Sequence, residues 1–244
     1  YHDDVMDEAA LRRGTESANA RWDNHVAILT GDFLFARSSE LTARLGAEAV
    51  QIQAQTFAEL VEGQILETLG PRPDEDPLAH YLRVVAGKTG SLIATSARYG
   101  ARFSGASPEV EAALTAYGAK IGTAFQLSDD ILDIASDSHQ SGKTPGTDLR
   151  EGVPTLPVLI ALQRSGSGDV AAERLRELVE AGLGDDTRHA EALRLLRTHP
   201  AMDEARTYVM DRAREAQRLL EAVPAGPARD ALDAFAELVA TRSR

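Results

Sequence analysis

Six aspartates in two groups carry the chemistry of this chain. Asp3, Asp4 and Asp7 stand in the run His2-Asp3-Asp4-Val5-Met6-Asp7, and Asp129, Asp130 and Asp133 stand in Ser128-Asp129-Asp130-Ile131-Leu132-Asp133. Each group spaces its carboxylates at i, i+1 and i+4, and on a helix i and i+4 share one face. Like charges placed this way destabilise a helix by roughly 0.2–0.5 kcal/mol. Their apolar neighbours make unpaired charge costlier still. Cation binding offsets both penalties. Paired carboxylates are hard oxygen donors that suit Mg²⁺, which is held by a few carboxylates with water and substrate phosphate oxygens completing its shell. Zinc recruits His or Cys; the chain has no Cys, and His2 alone beside the first group does not make a zinc site. His2 reads more simply as a packing or supporting residue.

An anion bound through such metals also needs cations from the protein. Three sets are placed to supply them: Arg12-Arg13-Gly14 just after the first group, Lys88-Thr89 between two glycines, and Lys143 shortly after the second group. Arg forks and Lys point charges are the usual partners of phosphate oxygens. Taken singly, each also reads as an ordinary surface charge. Gly142-Lys143-Thr144 imitates the end of a P-loop, but Asp137 occupies the position where that motif needs its first glycine, and no strand precedes it.

Helices must position these groups. Ala, Leu, Glu and Arg dominate, and alternating β-branched runs are scarce, so the reading is all-α. The pattern predicts a first helix ending near residue 10, a loop through Arg13-Gly14-Thr15, and helices over about 23–45 and 47–69. Asp76-Pro77 marks an N-cap with proline at the first helical position. The helix over about 78–105 is expected to kink or break at 87–90, where two glycines flank Lys88-Thr89. A helix over about 107–136, apolar on most faces before the second acidic group, is expected to be central and buried. A polar loop over 137–152 leads to shorter amphipathic helices over about 154–164, 168–182, 187–197, 200–222 and 227–242. No linker divides domains, and no fixed period marks a solenoid.

Composition narrows the classes. Lys plus Arg is 26 against 38 Asp plus Glu, a formal net charge of −12, which argues against nonspecific nucleic-acid binding. The absence of Cys removes disulfides, thiolate metal sites and a Cys nucleophile. No apolar run reaches the length of a membrane span, so the expectation is a soluble cytoplasmic protein with room for peripheral membrane contact. The first acidic group begins two residues from Tyr1, so further N-terminal helix is expected ahead of it.

With these pieces in order, the chain resembles the trans-polyprenyl diphosphate synthases, and in particular bacterial long-chain members. The resemblance runs through His2–Asp7, Arg12-Arg13-Gly14, Gly31-Asp32-Phe33-Leu34, Lys88-Thr89, Phe125–Asp133, Gly142-Lys143 and Gly146-Thr147-Asp148, and it covers the chain to about residue 165. It implies one all-α isoprenoid-synthase domain over 1–244, N-terminally incomplete, built around a central cavity. It also implies condensation of isopentenyl diphosphate with an allylic diphosphate. By resemblance, Asp3 and Asp7 bind Mg²⁺ on one wall and Asp129 binds it on the facing wall, with Asp4, Asp130 and Asp133 completing the motifs. Arg12, Lys88, Thr89, Gln126 and Lys143 would hold the allylic diphosphate and its metal, Lys88 and Lys143 as part of the catalytic set, and Arg13 the diphosphate of isopentenyl diphosphate. The family is usually homodimeric.

Two residues separate the acid pair from the last acid of the first motif, where many bacterial short-chain members have four, and the stretches Ser17–Trp22 and Ala27–Ala36 also resemble those of long-chain members that make quinone side chains. Other readings are a short-chain farnesyl or geranylgeranyl synthase, a class I terpene synthase, a non-catalytic subunit of a heteromeric synthase, and a structural helical bundle. Among neighbours, Asp32 and Gln64 read equally as cavity residues or as caps and polar packing. Asp148 is the better of two candidates, with Glu151, to extend the metal shell. Phe33, Phe35, Phe57 and Phe125 read as core, Phe125 also as a cavity residue, and the Arg-rich C-terminal helices as ordinary amphipathic packing.

Overall fold

The structure is a computed structural model that describes residues 1–12, 14–136 and 145–242. Its residues divide into two units, Tyr1–Gln55 and Thr56–Arg244.

In the first unit, α1 (His2–Met6) is a short helix closed by Asp7, and Glu8 then takes a left-handed conformation with φ 49°. The helix therefore stops near residue 7 rather than 10. Leu11–Arg12 (β1) and Thr15–Glu16 (β2) then pair as a two-stranded antiparallel hairpin, Leu11 opposite Glu16 and Arg12 opposite Thr15. The expected loop at 13–15 is the turn and return strand of this hairpin; Arg13 itself lies outside the described residues. Ser17 caps the short α2 (Ala18–Arg21). Its hydroxyl also donates to the Ala9 carbonyl at 2.5 Å, which ties the hairpin exit to the end of α1. Asp23 caps α3 (Asn24–Ala43) by accepting from the Val26 N–H at 2.8 Å.

The helix α4 (Ala47–Leu69) matches its predicted bounds. Phe33, Phe35 and Phe57, expected in the core, are instead 64%, 40% and 43% exposed. Apolar residues on α3 and α4 are not confined to one face, so these side chains are left exposed.

In the second unit, Asp76 accepts from the Leu78 and Ala79 N–H groups and Pro77 opens α5 (Pro77–Val85), as the pattern predicts. The interruption at 87–90 is a π-helical turn, Ala86–Gly90, from which α6 (Ser91–Phe103) continues. A π-turn inserts one residue into the ladder without ending the helix, and such turns recur at functional sites. Ser107 caps α7 (Pro108–Ala135). Tyr117, Ile121, Ala124, Leu127, Ile131 and Ile134 form its buried stripe at helical spacing, so α7 is the central element anticipated. A Cβ on Gly118 would sit 2.7 Å from Ala94 Cα, so only glycine lets α6 and α7 approach so closely.

Beyond the undescribed 137–144, α8 (Thr147–Arg150) leads to α9 (Leu156–Gln163). All six residues from Leu156 to Ala161 are buried, so α9 is apolar all round rather than amphipathic. Helices α10 (Val170–Glu180), α11 (Asp186–Thr198), α12 (Ala201–Leu219, extended by a 3₁₀ turn to Ala222) and α13 (Pro227–Thr241) complete the unit. Tyr117 on α7 donates its hydroxyl to the Leu232 carbonyl at 2.6 Å, tying α13 to the central helix. Burial of each large side chain along this stripe stabilises the unit by roughly 1.5–3 kcal/mol.

Candidate active site

In the first unit, α1 sorts its three aspartates. Asp3 and Asp7 lie one turn apart and are exposed, whereas Asp4 is buried. Asp4 turns toward the hairpin, where Arg12 donates from Nε to its carboxylate at 2.5 Å. Thus Arg12, expected to hold diphosphate, is placed beside the first motif by β1 and is joined there to Asp4. His2 packs on Gly31, where a Cβ would lie 2.7 Å from its Nε2. That nitrogen stands 3.1 Å from both the Ile28 carbonyl and Asp32. The plainer readings of His2 and Asp32, as packing partners, describe this arrangement.

The second unit gathers most of the remaining predicted residues at the C-terminal half of α7. Thr89, on the π-turn, donates its hydroxyl to Gln126 Oε1 at 3.2 Å, and Gln126 passes its Nε2 to Asp130 at 3.2 Å. The Tyr81 hydroxyl of α5 donates to the same carboxylate. Thr89 lies within that π-turn, Ala86–Gly90. Lys88, its neighbour, bonds Glu67 on α4 at 2.6 Å. That approach is possible because Gly63 on α4 has no side chain: a Cβ there would lie 2.9 Å from the Lys88 nitrogen. Gln64, on the same helix, donates to Glu67 at 2.9 Å.

Asp133 receives the chain as it returns from the undescribed loop. Its carboxylate accepts from the Thr147 N–H at 3.3 Å and its carbonyl from the Gly146 N–H at 2.9 Å. This places Asp148, the favoured additional acid, close enough to Asp130 to act on its charge. His189 on α11 holds the same turn, with its Nε2 2.8 Å from the Gly146 carbonyl. Lys143 lies outside the described residues.

Asp129, the predicted metal ligand of this motif, is half-exposed and paired with Arg242 at the end of α13. Arg242 lies 3.9 Å over the Phe125 ring, so Phe125 is a platform for a cation rather than a bare cavity wall. The C-terminal helices are thus more than amphipathic packing. Tyr81, His189 and Arg242 are the residues that sequence reasoning missed; none lies near a motif in the chain, and no local pattern distinguishes them from other Tyr, His and Arg residues.

Asp130 is the electrostatic centre of this region. Burial pushes its carboxyl well above the usual range, and the charges of Asp148 and Asp133 push it further, against the lowering effect of the Leu156 N–H. Folded chains therefore hold this proton more tightly than unfolded ones. The stability that protonation confers is lost as pH rises from the ordinary carboxylate range through the raised value. In metal-free buffer Asp130→Asn, which cannot ionise, is expected to melt higher than the parent at neutral pH and to converge with it in acid. Thermal melts across that range check this; an unchanged or lower neutral melting temperature counts against a strained Asp130.

Among the described residues, no three His, Asp or Glu side chains converge as a ready-made metal cage. The donor chemistry nevertheless fits a hard divalent ion. Asp129, Asp130 and Asp133 supply oxygen donors at one end of α7, and Mg²⁺-type sites take only one or two carboxylates, with phosphate oxygens and water supplying the rest.

The arrangement defines a class: an all-α protein that brings aspartates, amide and hydroxyl groups to one end of a buried helix and carries a second aspartate motif on a short one. Residues 1–196 match the family model for polyprenyl synthetase. The chain is 52% identical over 242 residues to a nonaprenyl diphosphate synthase of Mycobacterium tuberculosis, covering 99% of this chain and 71% of that protein. It is 45% identical to a dimethylallyltranstransferase of the same organism, covering 95% and 69%. A crystal structure of geranylgeranyl pyrophosphate synthase from Corynebacterium glutamicum, complexed with calcium and isoprenyl diphosphate, superposes with a TM-score of 0.87 at 44% identity, covering 100% of this chain and 73% of that one. The chain belongs to the polyprenyl synthetase family. It is an enzyme that transfers prenyl groups, in the all-α isoprenoid synthase fold, and a divalent metal is part of the family's chemistry.

Proposed function

We propose that the chain, as one synthase domain over 1–244, condenses isopentenyl diphosphate with an allylic diphosphate to make a long all-trans polyprenyl diphosphate, with Mg²⁺ as its metal. The observation that carries this reading is the Thr89–Gln126–Asp130 relay beside Asp129 and Asp133, on a helix within the family match. Asp3, Asp7 and Asp129 are the metal ligands, with Asp4, Asp130 and Asp133 supporting them. Arg12, Lys88, Thr89, Gln126 and Lys143 hold the allylic diphosphate, and Arg13 the diphosphate of isopentenyl diphosphate.

Cleavage of the allylic C–O bond places negative charge on the departing diphosphate. Bound Mg²⁺ supplies Lewis-acid stabilisation of that charge. Arg12, Lys88 and Lys143 would add positive charge at the same oxygens, Arg12 turning to them from Asp4 and Lys88 from Glu67. Apolar helix faces keep water from the allylic cation while the isopentenyl double bond attacks. The new C–C bond then forms, and the released diphosphate takes the final proton.

Long-chain synthesis is supported by the higher identity to the nonaprenyl synthase than to the dimethylallyltranstransferase or the geranylgeranyl synthase, and by the two-residue gap within the first motif. The test is incubation of the full-length protein with labelled isopentenyl diphosphate, several allylic primers and Mg²⁺. Products of eight or more prenyl units are expected, on the order of those the relatives' names imply. Short products point to a farnesyl or geranylgeranyl synthase. A hydrocarbon without isopentenyl incorporation points to a cyclase, and no product points to a non-catalytic subunit.

The exposed apolar residues suit a homodimer: Leu29, Phe33 and Leu34 on α3, and Phe57 and Ile65 on α4. Light scattering on a sizing column reads this directly, a monomer opposing it. Among the described residues no helix is long and apolar enough to cross a membrane. A cytoplasmic enzyme touching membranes through its apolar product fits the same reading.

A further inference from the structure

Arg242 sits 113 residues from Asp129 in the chain, yet it bonds Ser128, Asp129 and the Phe125 carbonyl on α7. Its Nε donates to the Ser128 hydroxyl at 2.9 Å, and its Nη2 donates to the Phe125 carbonyl at 2.9 Å and to the Asp129 carboxylate. The guanidinium lies 3.9 Å above the Phe125 ring, within range of a cation–π contact. Ser128 is fully buried, whereas Asp129 remains half-exposed. The head group is thus seated by α7's backbone, a buried hydroxyl and an aromatic face, and from that seat it reaches the half-exposed Asp129 carboxylate.

Two features distinguish this from a routine surface ion pair. First, Asp129 adjoins Asp130 and Asp133 on α7, and Asp148 follows on the turn that Asp133 holds, so negative charge is concentrated there. A fixed positive charge there lowers the local negative potential, and so lowers the affinity of the same carboxylates for any other cation. Second, the pair is only partly buried and Arg242 is the cap of α13, the last described helix, bonded to Leu238 at 3.0 Å. Helix ends open at low cost.

We propose that Arg242 is a positioning residue that competes with the metal–diphosphate complex for Asp129. It holds the carboxylate in register and yields it when metal and diphosphate arrive together, the last turn of α13 loosening as it does. The inference rests on the functional reading above, since it takes Asp129 as a metal-facing carboxylate. The contrasting possibility is a permanent bridge that merely fastens α13 to α7.

The experiment uses the full chain with Mg²⁺ and inorganic pyrophosphate as probe. Calorimetry gives the pyrophosphate half-saturation at fixed Mg²⁺, and hydrogen–deuterium exchange follows amides 238–242. In the parent, Mg²⁺ with pyrophosphate should speed exchange of these amides several-fold, while Mg²⁺ alone should not. In Arg242→Gln the amides should exchange fast throughout, and half-saturation should fall several-fold. Arg242→Lys, which keeps the charge but not the fork, should lie between. Binding in the parent without faster exchange, and with the same half-saturation in Arg242→Gln, establishes the permanent bridge and overturns the competition. If Arg242→Gln unfolds, the parent's exchange response and Arg242→Lys still decide. Failure of the parent to bind pyrophosphate with Mg²⁺ at all overturns the functional reading, and the competition with it.

Discussion

Asp3→Ala is expected to lower turnover by roughly 10²–10⁴-fold while leaving the fold intact, and Asp129→Ala to do the same. The magnitude follows from what is removed: a ligand that aims the metal at charge developing in the transition state, where one lost stabilising group costs about 10²–10³ in rate and loss of metal placement costs more. The intact fold follows from exposure. Asp3 faces solvent on α1 and Asp129 is half-exposed on α7, so alanine opens no cavity at either position. Alanine also favours a helix over aspartate and relieves like-charge repulsion within each motif. Steady-state kinetics across Mg²⁺ concentrations, paired with thermal melts, test this. A variant of either kind with near-parental, Mg²⁺-dependent condensation would defeat the assignment of the aspartates.

The opposite profile is expected at a neighbouring position. Ile131 lies between Asp130 and Leu132, points away from the motif's chemistry and is fully buried. Ile131→Ala should destabilise the chain by about 2–5 kcal/mol, the transfer cost of the lost methylenes plus the cavity they leave. For a chain of this size that is a fall in melting temperature on the order of 5–15 °C. Turnover well below the melting point should fall far less than in Asp3→Ala, because the carboxylates remain. Urea denaturation reads the stability loss; a change under about 1 kcal/mol would mean that α7 is not the packed centre of its unit. Asp129→Ala and Ile131→Ala together separate the polar and apolar faces of α7, the first expected to carry chemistry and the second to hold it in place.

Asp129 and Arg242 differ in how visible they are in the sequence. The aspartate stands out because its spacing is local: an i, i+1, i+4 pattern repeated in two places needs no knowledge of distant packing. Caps were legible for the same reason. Asp76 bonds the Leu78 and Ala79 N–H groups two and three residues away, as its place before Pro77 predicts; Asp23 and Ser107 cap helices whose starts the pattern located without naming a cap. The break at 87–90 announced itself through two glycines, although its form as a π-turn did not. Arg12 was placed near the first motif correctly, yet its hairpin was missed, since two-residue strands carry too little pattern to separate from a loop.

The errors share a cause. Phe33, Phe35 and Phe57 are apolar on apolar helices, and hydrophobicity alone does not say whether a covering surface comes from the same chain. Helix α9 looked amphipathic over 154–164 until its packing buried six consecutive residues.

By itself, then, the sequence determined that the chain is helical, that it carries two aspartate motifs suited to a hard metal and a diphosphate, and that its family is polyprenyl synthetase. Helicity and the two motifs are properties of composition and of spacing within a few residues; the family rests on the resemblance of several motifs in order and on the relatives that match. Only the tertiary structure decided which carboxylate is buried beside Tyr81, which glycine admits Lys88 to α4, and which arginine of the C-terminal helices meets Asp129. Each depends on helices distant in the chain packing at a particular depth and rotation, and side chains of identical type elsewhere differ only in where that packing leaves them.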